Sequence, residues 1–134
     1  GAVRGTISNA SHLSQTMVLA AMKSPAYAAE KAEKFEVMKA RAGEVKKVLS
    51  GGRYSDAWTV YPFNSGYFMC LKMLTVPAEE LRVHLLHEYG VGVIALGKTD
   101  IRVAFSCLEK DDVEDIFSII YKGVKDLEAK GVRL

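Results

Sequence analysis

Cysteine is scarce in the sequence, and this scarcity limits the kinds of site that the chain can form. The 134 residues include two cysteines, Cys70 and Cys107. Each lies inside a hydrophobic run and the two have no paired spacing, so neither a disulfide framework nor a zinc knuckle is indicated. Their surroundings predict buried free thiols instead.

Long apolar runs and an excess of one charge are also missing. The apolar stretches are interrupted well before the roughly 20 residues that a membrane span needs, and the N-terminus has no basic segment followed by an apolar one. Eighteen Lys and Arg against sixteen Asp and Glu leave a net charge of +2, too small to suggest binding to a phosphate backbone. We expect a cytoplasmic protein that binds neither nucleic acid nor membrane.

The remaining composition, 49% hydrophobic and 25% charged residues, is that of a globular domain. Residues 1–9 have no clear period, which predicts that the sequence begins inside a larger protein, with Gly1 a possible tag remnant. A first helix is predicted from Ser11 to Ser24, and a second from Pro25 to the glycines at 51 and 52. The second helix carries a stripe of apolar residues: Phe35, Met38, Ala42, Val45 and Leu49.

This second helix would be about 37 Å long at the standard rise, which is long for so small a domain. We expect its C-terminal half to pack on the sheet. Its first turns should be covered by something outside this chain.

The second half of the sequence predicts the order β-β-α-β-β-α. Residues 57–61 and 66–73 indicate a hairpin, Pro77 and Gly90 bound a helix, and residues 91–96 and 101–106 indicate two strands joined by a short turn. A last amphipathic helix begins near Asp111. We predict an α/β fold of the α+β-like small-domain kind, a mainly antiparallel sheet covered by helices. Residues 1–134 would be one domain, with a helical linker at 1–50 and a core at 51–134.

Residues 92–99 match a phosphate-binding loop, with two glycines separated by four residues and followed by Lys98 and Thr99. Such a loop needs a helix after it, whereas here an apolar strand precedes the second glycine and another strand follows. We therefore predict that Lys98 lies in an exposed turn between two strands. Nucleotide binding is not expected.

Three histidines give little support for a metal site or for nucleophilic catalysis. His84 and His87 lie on one helical face near Glu80 and Glu88, but no third ligand is evident. A solvated helix face explains them better, and His12 has no identifiable partner. Neither a Ser–His–Asp nor a Cys–His set is indicated, so no catalytic and no metal residue is assigned.

Arg102 lies one residue into a strand in which its neighbours Ile101, Val103, Ala104 and Phe105 are apolar. Such an arginine has to be paired or solvated, and its planar guanidinium can bind a carboxylate through two parallel hydrogen bonds. On composition alone, an arginine solvated on an edge strand is the better explanation.

Four segments, residues 62–72, 78–81, 90–97 and 100–106, resemble the C-terminal small domain of class I and II, fold-type-I aminotransferases that depend on pyridoxal phosphate. The resemblance covers the whole chain and is most specific over residues 64–106. By motif and order, Arg102 matches the arginine that binds the substrate carboxylate in that family. Residues 4–15 are similar to the stretch that follows the cofactor-binding region, and the long helix resembles the one that links the large and small domains.

The resemblance implies a function that this chain cannot perform alone. The family's Schiff-base lysine and phosphate-binding groups belong to a large domain that is missing here, so no residue of this chain is expected to bind the cofactor. The full enzyme would be a homodimer that acts on amino acids and 2-oxo acids. Arg102 would clamp the carboxylate as the small domain closes on the substrate. The turn before Arg102 is shorter than usual, which puts the edge of the substrate pocket in doubt.

Two functions of other classes stay open at this stage. A regulatory amino-acid-binding module of the ferredoxin-like type has a similar β-β-α-β-β-α plan, although it does not need the long N-terminal helices. A pure oligomerisation domain would leave Arg102 without a role. The sequence also does not distinguish a transaminase from a related lyase or decarboxylase, and it does not specify the substrate side chain.

Overall fold

The computed structural model describes residues 2–6, 11–64 and 66–134, which divide into two compact units, Gly1–Val37 and Met38–Leu134. In the first unit, helix α1 spans Ala2–Thr6, where no regular structure was predicted. Five residues are too few to show a helical period, and the Thr6 hydroxyl donates to the Ala2 carbonyl at 2.8 Å. Gly1 and residues 7–10, for which the sequence also gave expectations, lie outside the described residues.

Helix α2 spans His12–Lys23 and begins where the sequence predicts, because the Ser11 hydroxyl accepts a hydrogen bond from the Ser14 amide,. It ends at Ser24, whose backbone is already extended before Pro25,. No residue of α2 is buried. Its exposed apolar residues include Leu13, Met17, Val18, Leu19 and Met22.

Helix α3 spans Tyr27–Ser50. The Ala26 amide donates to the Ser24 hydroxyl at 3.2 Å, so Ser24 closes a turn before α3 and the helix starts two residues later than predicted. In the second unit, the C-terminal part of α3 buries Val45 completely, and Met38, Ala42 and Leu49 pack against the core. The sequence predicts packing of this half on the sheet, and the structure shows it packed against the core cluster that includes residues of the strands and of the two helices that follow in the second unit.

The second unit contains a four-stranded antiparallel sheet in the order β1-β2-β4-β3. The strands are β1 Trp58–Val60, β2 Met69–Met73, β3 Ile94–Leu96 and β4 Asp100–Val103, and the helices are α4 Ala78–Tyr89 and α5 Val113–Ala129. This confirms the predicted fold class and element order. The strands are shorter than predicted, since Phe105–Cys107 forms a turn of 3₁₀ helix where β4 was expected to continue.

The two faces of the sheet differ sharply in burial. Side chains alternate along a strand, and one face buries Leu71, Ile101, Met69 and Val103 against Leu81 and Leu85 of α4 and Phe117, Ile120 and Val124 of α5. The opposite face leaves every strand residue at least partly exposed. We call it the open face, made of Thr59, Cys70, Lys72, Ile94, Leu96, Asp100 and Arg102.

The cysteines are both free, but they are less buried than predicted. Cys70 is partly buried on the open face, and Cys107 is exposed. The expectation for Cys107 was wrong because β4 ends at Val103, which places Cys107 in the exposed 3₁₀ turn. Every helix in the described part of the chain is too short or too polar to cross a membrane.

Candidate functional site

Arg102 lies near the centre of the open face. Its strand, β4, is hydrogen-bonded on both sides, and Arg102 is opposite Cys70 on β2 and Ile94 on β3. It is therefore not on an edge strand, although its side chain keeps some exposure to solvent. An internal strand holds the backbone of Arg102 rigidly while its side chain projects on the exposed side of the sheet.

The Arg102 side chain is held by an aromatic ring. Its guanidinium carbon lies 4.6 Å from the centroid of the Phe68 ring, within the range of a cation–π contact,. Nε is shielded from solvent and has no hydrogen-bond partner among the described residues. The terminal nitrogens Nη1 and Nη2 form no ion pair with any described carboxylate, and the residue keeps some exposure to solvent. Their N–H donors are available to a ligand.

Three other arginines of the second unit have acidic partners. Arg41 pairs with Glu109 at 2.9 Å, Arg53 with Glu114 at 2.8 Å, and Arg82 with Glu79 at 2.6 Å. A carboxylate that pairs with an arginine occupies the donors that would otherwise bind a ligand. Arg102 is thus distinguished from these three, because no described carboxylate uses its donors.

Asp100 is an acid of the open face on the same strand as Arg102, but it is engaged elsewhere. The Tyr61 hydroxyl donates to both Asp100 oxygens at 3.3 Å, and the Thr99 hydroxyl donates at 3.1 Å. Burial and the negative charge of Asp100 raise the pKa of the Tyr61 hydroxyl, which therefore stays a hydrogen-bond donor at neutral pH,. Tyr61 and Thr99 together satisfy Asp100 without Arg102.

The segment that carries Phe68 is fixed by hydrogen bonds to the chain that follows β4. The Ser106 amide donates to the Tyr67 carbonyl at 3.3 Å. Arg41 of α3 in turn donates through Nη1 to the Ser106 carbonyl. The approach to β2 also needs Gly66, whose φ of +95° is rare for residues with a side chain,. These contacts set the position of Phe68 beside Arg102.

The segment that matches a phosphate-binding loop, residues 92–99, places Lys98 in a turn between two strands, as predicted. Gly97, Lys98 and Thr99 connect β3 to β4, and Lys98 is exposed. The Lys98 carbonyl accepts the amide of Ala78, the first residue of α4, at 2.9 Å. That donor of the helix N-terminus is therefore already used, and the stretch has no strand–loop–helix arrangement.

His84 is buried, so its predicted place on a solvated helix face was wrong. Its Nε2 lies 2.9 Å from Oδ2 of Asp126 on α5, and the Tyr89 hydroxyl donates to the same oxygen at 2.6 Å. The Tyr89 hydroxyl, and after it His84, lower the pKa of the Asp126 carboxyl. His84 lies three residues after the buried Leu81, and this helical spacing could have indicated that His84 is buried too. Its partner Asp126 is remote in sequence, so no local pattern could identify it. His87 and His12 are exposed.

A solved structure with the same fold gives these observations a context. LysN, an α-aminoadipate aminotransferase from Thermus thermophilus, was solved in complex with N-(5'-phosphopyridoxyl)-L-leucine. It matches 96% of this chain with a TM-score of 0.76 at 17% sequence identity. The chain has the fold of part of an aminotransferase. It spans about a third of LysN, 34% of that chain.

The comparisons by sequence, unlike the comparison of structures, found no match. No family model matches the chain, and no curated protein sequence matches it. The predicted resemblance to an aminotransferase small domain is confirmed at the level of fold.

Two described features bear on whether this part of the chain could hold pyridoxal phosphate. Lys72, the lysine of the open face, is exposed, and a cofactor aldehyde would need a lysine held beside a phosphate cradle. The helix α4 amide of Ala78 is taken by Lys98. No group of three or more potential metal ligands occurs in the described ranges either. Within the described residues, the group best suited to an anion is the guanidinium of Arg102,.

Proposed function

We propose that the chain is the small domain of a longer pyridoxal phosphate-dependent aminotransferase, in which Arg102 binds the α-carboxylate of the substrate. The observation that carries this proposal is the unpaired guanidinium of Arg102 on the open face of a fold shared with LysN. A guanidinium with unused donors in a partly apolar setting is suited to a planar anion.

Arg102 would act by positioning and not by proton transfer. Two N–H donors facing two carboxylate oxygens fix both the place and the orientation of an amino acid, which restricts its rotation around the reacting carbon. Ile94 and Phe68 flank the arginine, and apolar neighbours reduce hydration and so strengthen the charge-assisted contact. Pyridoxal phosphate, held by the rest of the enzyme, would supply the electron sink.

The open face would meet the large domain when substrate is bound. Binding of the carboxylate by Arg102 provides a free-energy gain that is realised only in the closed arrangement, which is a physical reason for closure. The substrates would be an amino acid and a 2-oxo acid, and the full enzyme would be a cytoplasmic homodimer. The 134-residue chain alone would be inactive and would bind no cofactor specifically.

The test uses the full-length protein, reconstituted with pyridoxal phosphate. Amino acids should convert the cofactor spectrum to that of the amino form in a half-reaction, whereas amines of the same side chain that lack the carboxylate should react far more slowly. Equal rates for both kinds of substrate would contradict a carboxylate clamp. Release of the α-carboxylate as carbon dioxide, in place of amino transfer, would indicate a decarboxylase with the same fold.

The ferredoxin-like regulatory module makes a different prediction about the isolated chain. It requires the 134 residues to bind a free amino acid on their own, with an affinity near physiological concentrations. Calorimetric titration of the isolated chain with amino acids distinguishes the two functions, since a substrate clamp without its large domain should bind them only weakly.

A further inference from the structure

Phe68 lies where its ring can contact the Arg102 guanidinium without occupying the hydrogen-bond donors of that arginine. It precedes Cys70 by two residues, and Cys70 is directly opposite Arg102 in the sheet. The two side chains are therefore diagonal neighbours, a separation that aromatic and long side chains can bridge. The distance of 4.6 Å from the guanidinium carbon to the ring centroid shows that they do so here.

A ring and an acid restrain an arginine in different ways. An acid binds the in-plane N–H donors and neutralises the charge, as Glu114 does for Arg53,. An aromatic ring attracts the cation through its own face and leaves the in-plane donors unbound. Arg102 has the second arrangement, with Nε shielded and without a partner among the described residues, so the donors at Nη1 and Nη2 are the ones that remain accessible.

We propose that Phe68 is a positioning residue for the carboxylate contact: its ring orders the Arg102 guanidinium so that the two terminal nitrogens are presented to the anion. This inference rests on the carboxylate-binding role proposed for Arg102. Pre-ordering removes part of the conformational entropy that a long side chain loses on binding. At a partly exposed site the cation–π contact should change anion affinity about two- to fivefold.

Tyr67 provides a matched control for Phe68. It is the neighbouring residue, it is also aromatic and is more exposed, at 61% against 46%, and its side chain makes no ring contact with Arg102. Its carbonyl bond to Ser106 belongs to the backbone and survives substitution of the side chain. A change at Tyr67 therefore reports the general effect of removing an exposed ring from this segment.

The experiment follows the Arg102 Nε–Hε signal by nitrogen-edited NMR while the 134-residue chain is titrated with acetate at constant ionic strength. Arg102→Lys identifies the signal. Phe68→Leu should weaken acetate binding about two- to fivefold and increase the motion of the guanidinium. Phe68→Trp should restore both, and Tyr67→Leu should leave both unchanged. Phe68→Met replaces Phe68→Leu if the latter does not fold.

Three results would overturn the proposal. They are unchanged acetate binding in Phe68→Leu and Phe68→Met, a Phe68→Trp variant no better than Phe68→Leu, and an Arg102 signal in the unmodified chain that acetate does not move. This inference and the proposed function can fail independently of each other. Acetate binding that depends on Phe68, in a full-length protein without amino transfer, contradicts the proposed function alone. Normal amino transfer with acetate binding independent of Phe68 contradicts this inference alone.

Discussion

Arg102 and His84 show two ways in which this chain places a polar side chain among apolar neighbours. Arg102 remains partly exposed and contacts a ring, and its terminal donors pair with no described carboxylate. His84 is buried and shares Oδ2 of Asp126 with the Tyr89 hydroxyl. A buried polar group that is hydrogen-bonded stabilises the packing around it, whereas unused donors at a partly exposed position suit ligand binding. The two residues therefore have different expected roles, one structural and one functional.

Substitution of Asp126 by Asn should make stability less dependent on acid pH. Hydrogen bonds from Tyr89, and then from His84, lower the pKa of Asp126 below its usual value near 3.8. The carboxylate therefore contributes stability above about pH 4, and this contribution is lost as the pH falls through the lowered pKa. Because the side chain is 40% exposed, we expect a modest cost for Asp126→Asn, about 1 kcal/mol at neutral pH.

Urea unfolding between pH 6 and pH 2 measures this effect. The difference between the unmodified chain and Asp126→Asn should be largest above about pH 4 and should shrink below it. Tyr89→Phe serves as a companion, since it removes the larger of the two influences on Asp126. A difference that stays constant over the whole pH range would show that Asp126 does not contribute through its charge.

At the scale of elements, helices α4 and α5 approach each other closely at a glycine. A Cβ atom built on Gly123 of α5 would lie 2.8 Å from Leu85 Cδ2 and 3.2 Å from Leu81 Cδ1. Both leucines are fully buried, so they have little room to move away. Gly43 on α3 is also helical but has nothing within 4 Å of such an atom.

Alanine at these two glycines should therefore have different effects. Gly43→Ala should stabilise the chain by about 0.5–1 kcal/mol, since it gains helix propensity and meets no neighbour. Gly123→Ala has the same propensity gain but must displace Leu85, so we expect it to be at least about 1 kcal/mol less stable than Gly43→Ala. Thermal and urea unfolding of both variants measure the difference. Equal stabilisation by both changes would show that the approach of α4 and α5 tolerates a methyl group.

Arg41 joins α3 to the chain that follows β4, and two substitutions separate its two contacts. Arg41→Met keeps most of the aliphatic packing but leaves the Ser106 carbonyl without its donor, so we expect a loss of about 1–2 kcal/mol in the free energy of unfolding. Glu109→Ala removes the salt bridge to an acid that is 76% exposed and should cost less than about 0.5 kcal/mol. If the two variants lost equal stability, the carbonyl contact would not be the important one.

The sequence predicts the ends of a helix or strand correctly where neighbouring residues determine them. Pro77 and Gly90 bound α4 as expected, because one fits a first helical turn and the other adopts a left-handed conformation, with φ of +65°,. The ends of the strands and the burial of His84 depend on partners remote in sequence, and were missed. Arg102 could be selected as an unusual strand residue, but its contact with Phe68 depends on the register of β2 and β4, which no local pattern specifies.

At the scale of the whole molecule, the two units differ in how much of their apolar surface is buried. The second unit has a continuous core from Val45 to Leu127. Helix α2 of the first unit buries no residue, and its apolar side chains are more than half exposed, from 52% for Leu19 to 70% for Leu13. Exposed apolar groups of this kind mark interaction surfaces. We expect the remainder of the full-length protein to cover α2.

Hydrogen exchange compares α2 with α5 directly. In the monomeric 134-residue chain, amides of α2 should exchange much faster than those of α5, because α2 has no buried contacts to oppose local opening. In the full-length protein the α2 amides should become protected. Equal protection of α2 and α5 in the isolated monomeric chain would contradict the expectation of a missing partner surface.

The most direct test of the proposed carboxylate clamp is the effect of Arg102→Ala on two quantities, the free energy of unfolding of the 134-residue chain and the kcat/KM of the full-length enzyme for amino acids. The proposal predicts a loss in kcat/KM that corresponds to about 2–5 kcal/mol, since a charge-assisted contact to substrate is removed. The unfolding free energy should change by about 1 kcal/mol or less, because Arg102 makes no ion pair with a described residue. An Arg102→Ala chain that unfolds, together with full-length enzyme that still folds and keeps normal kinetics, would contradict it.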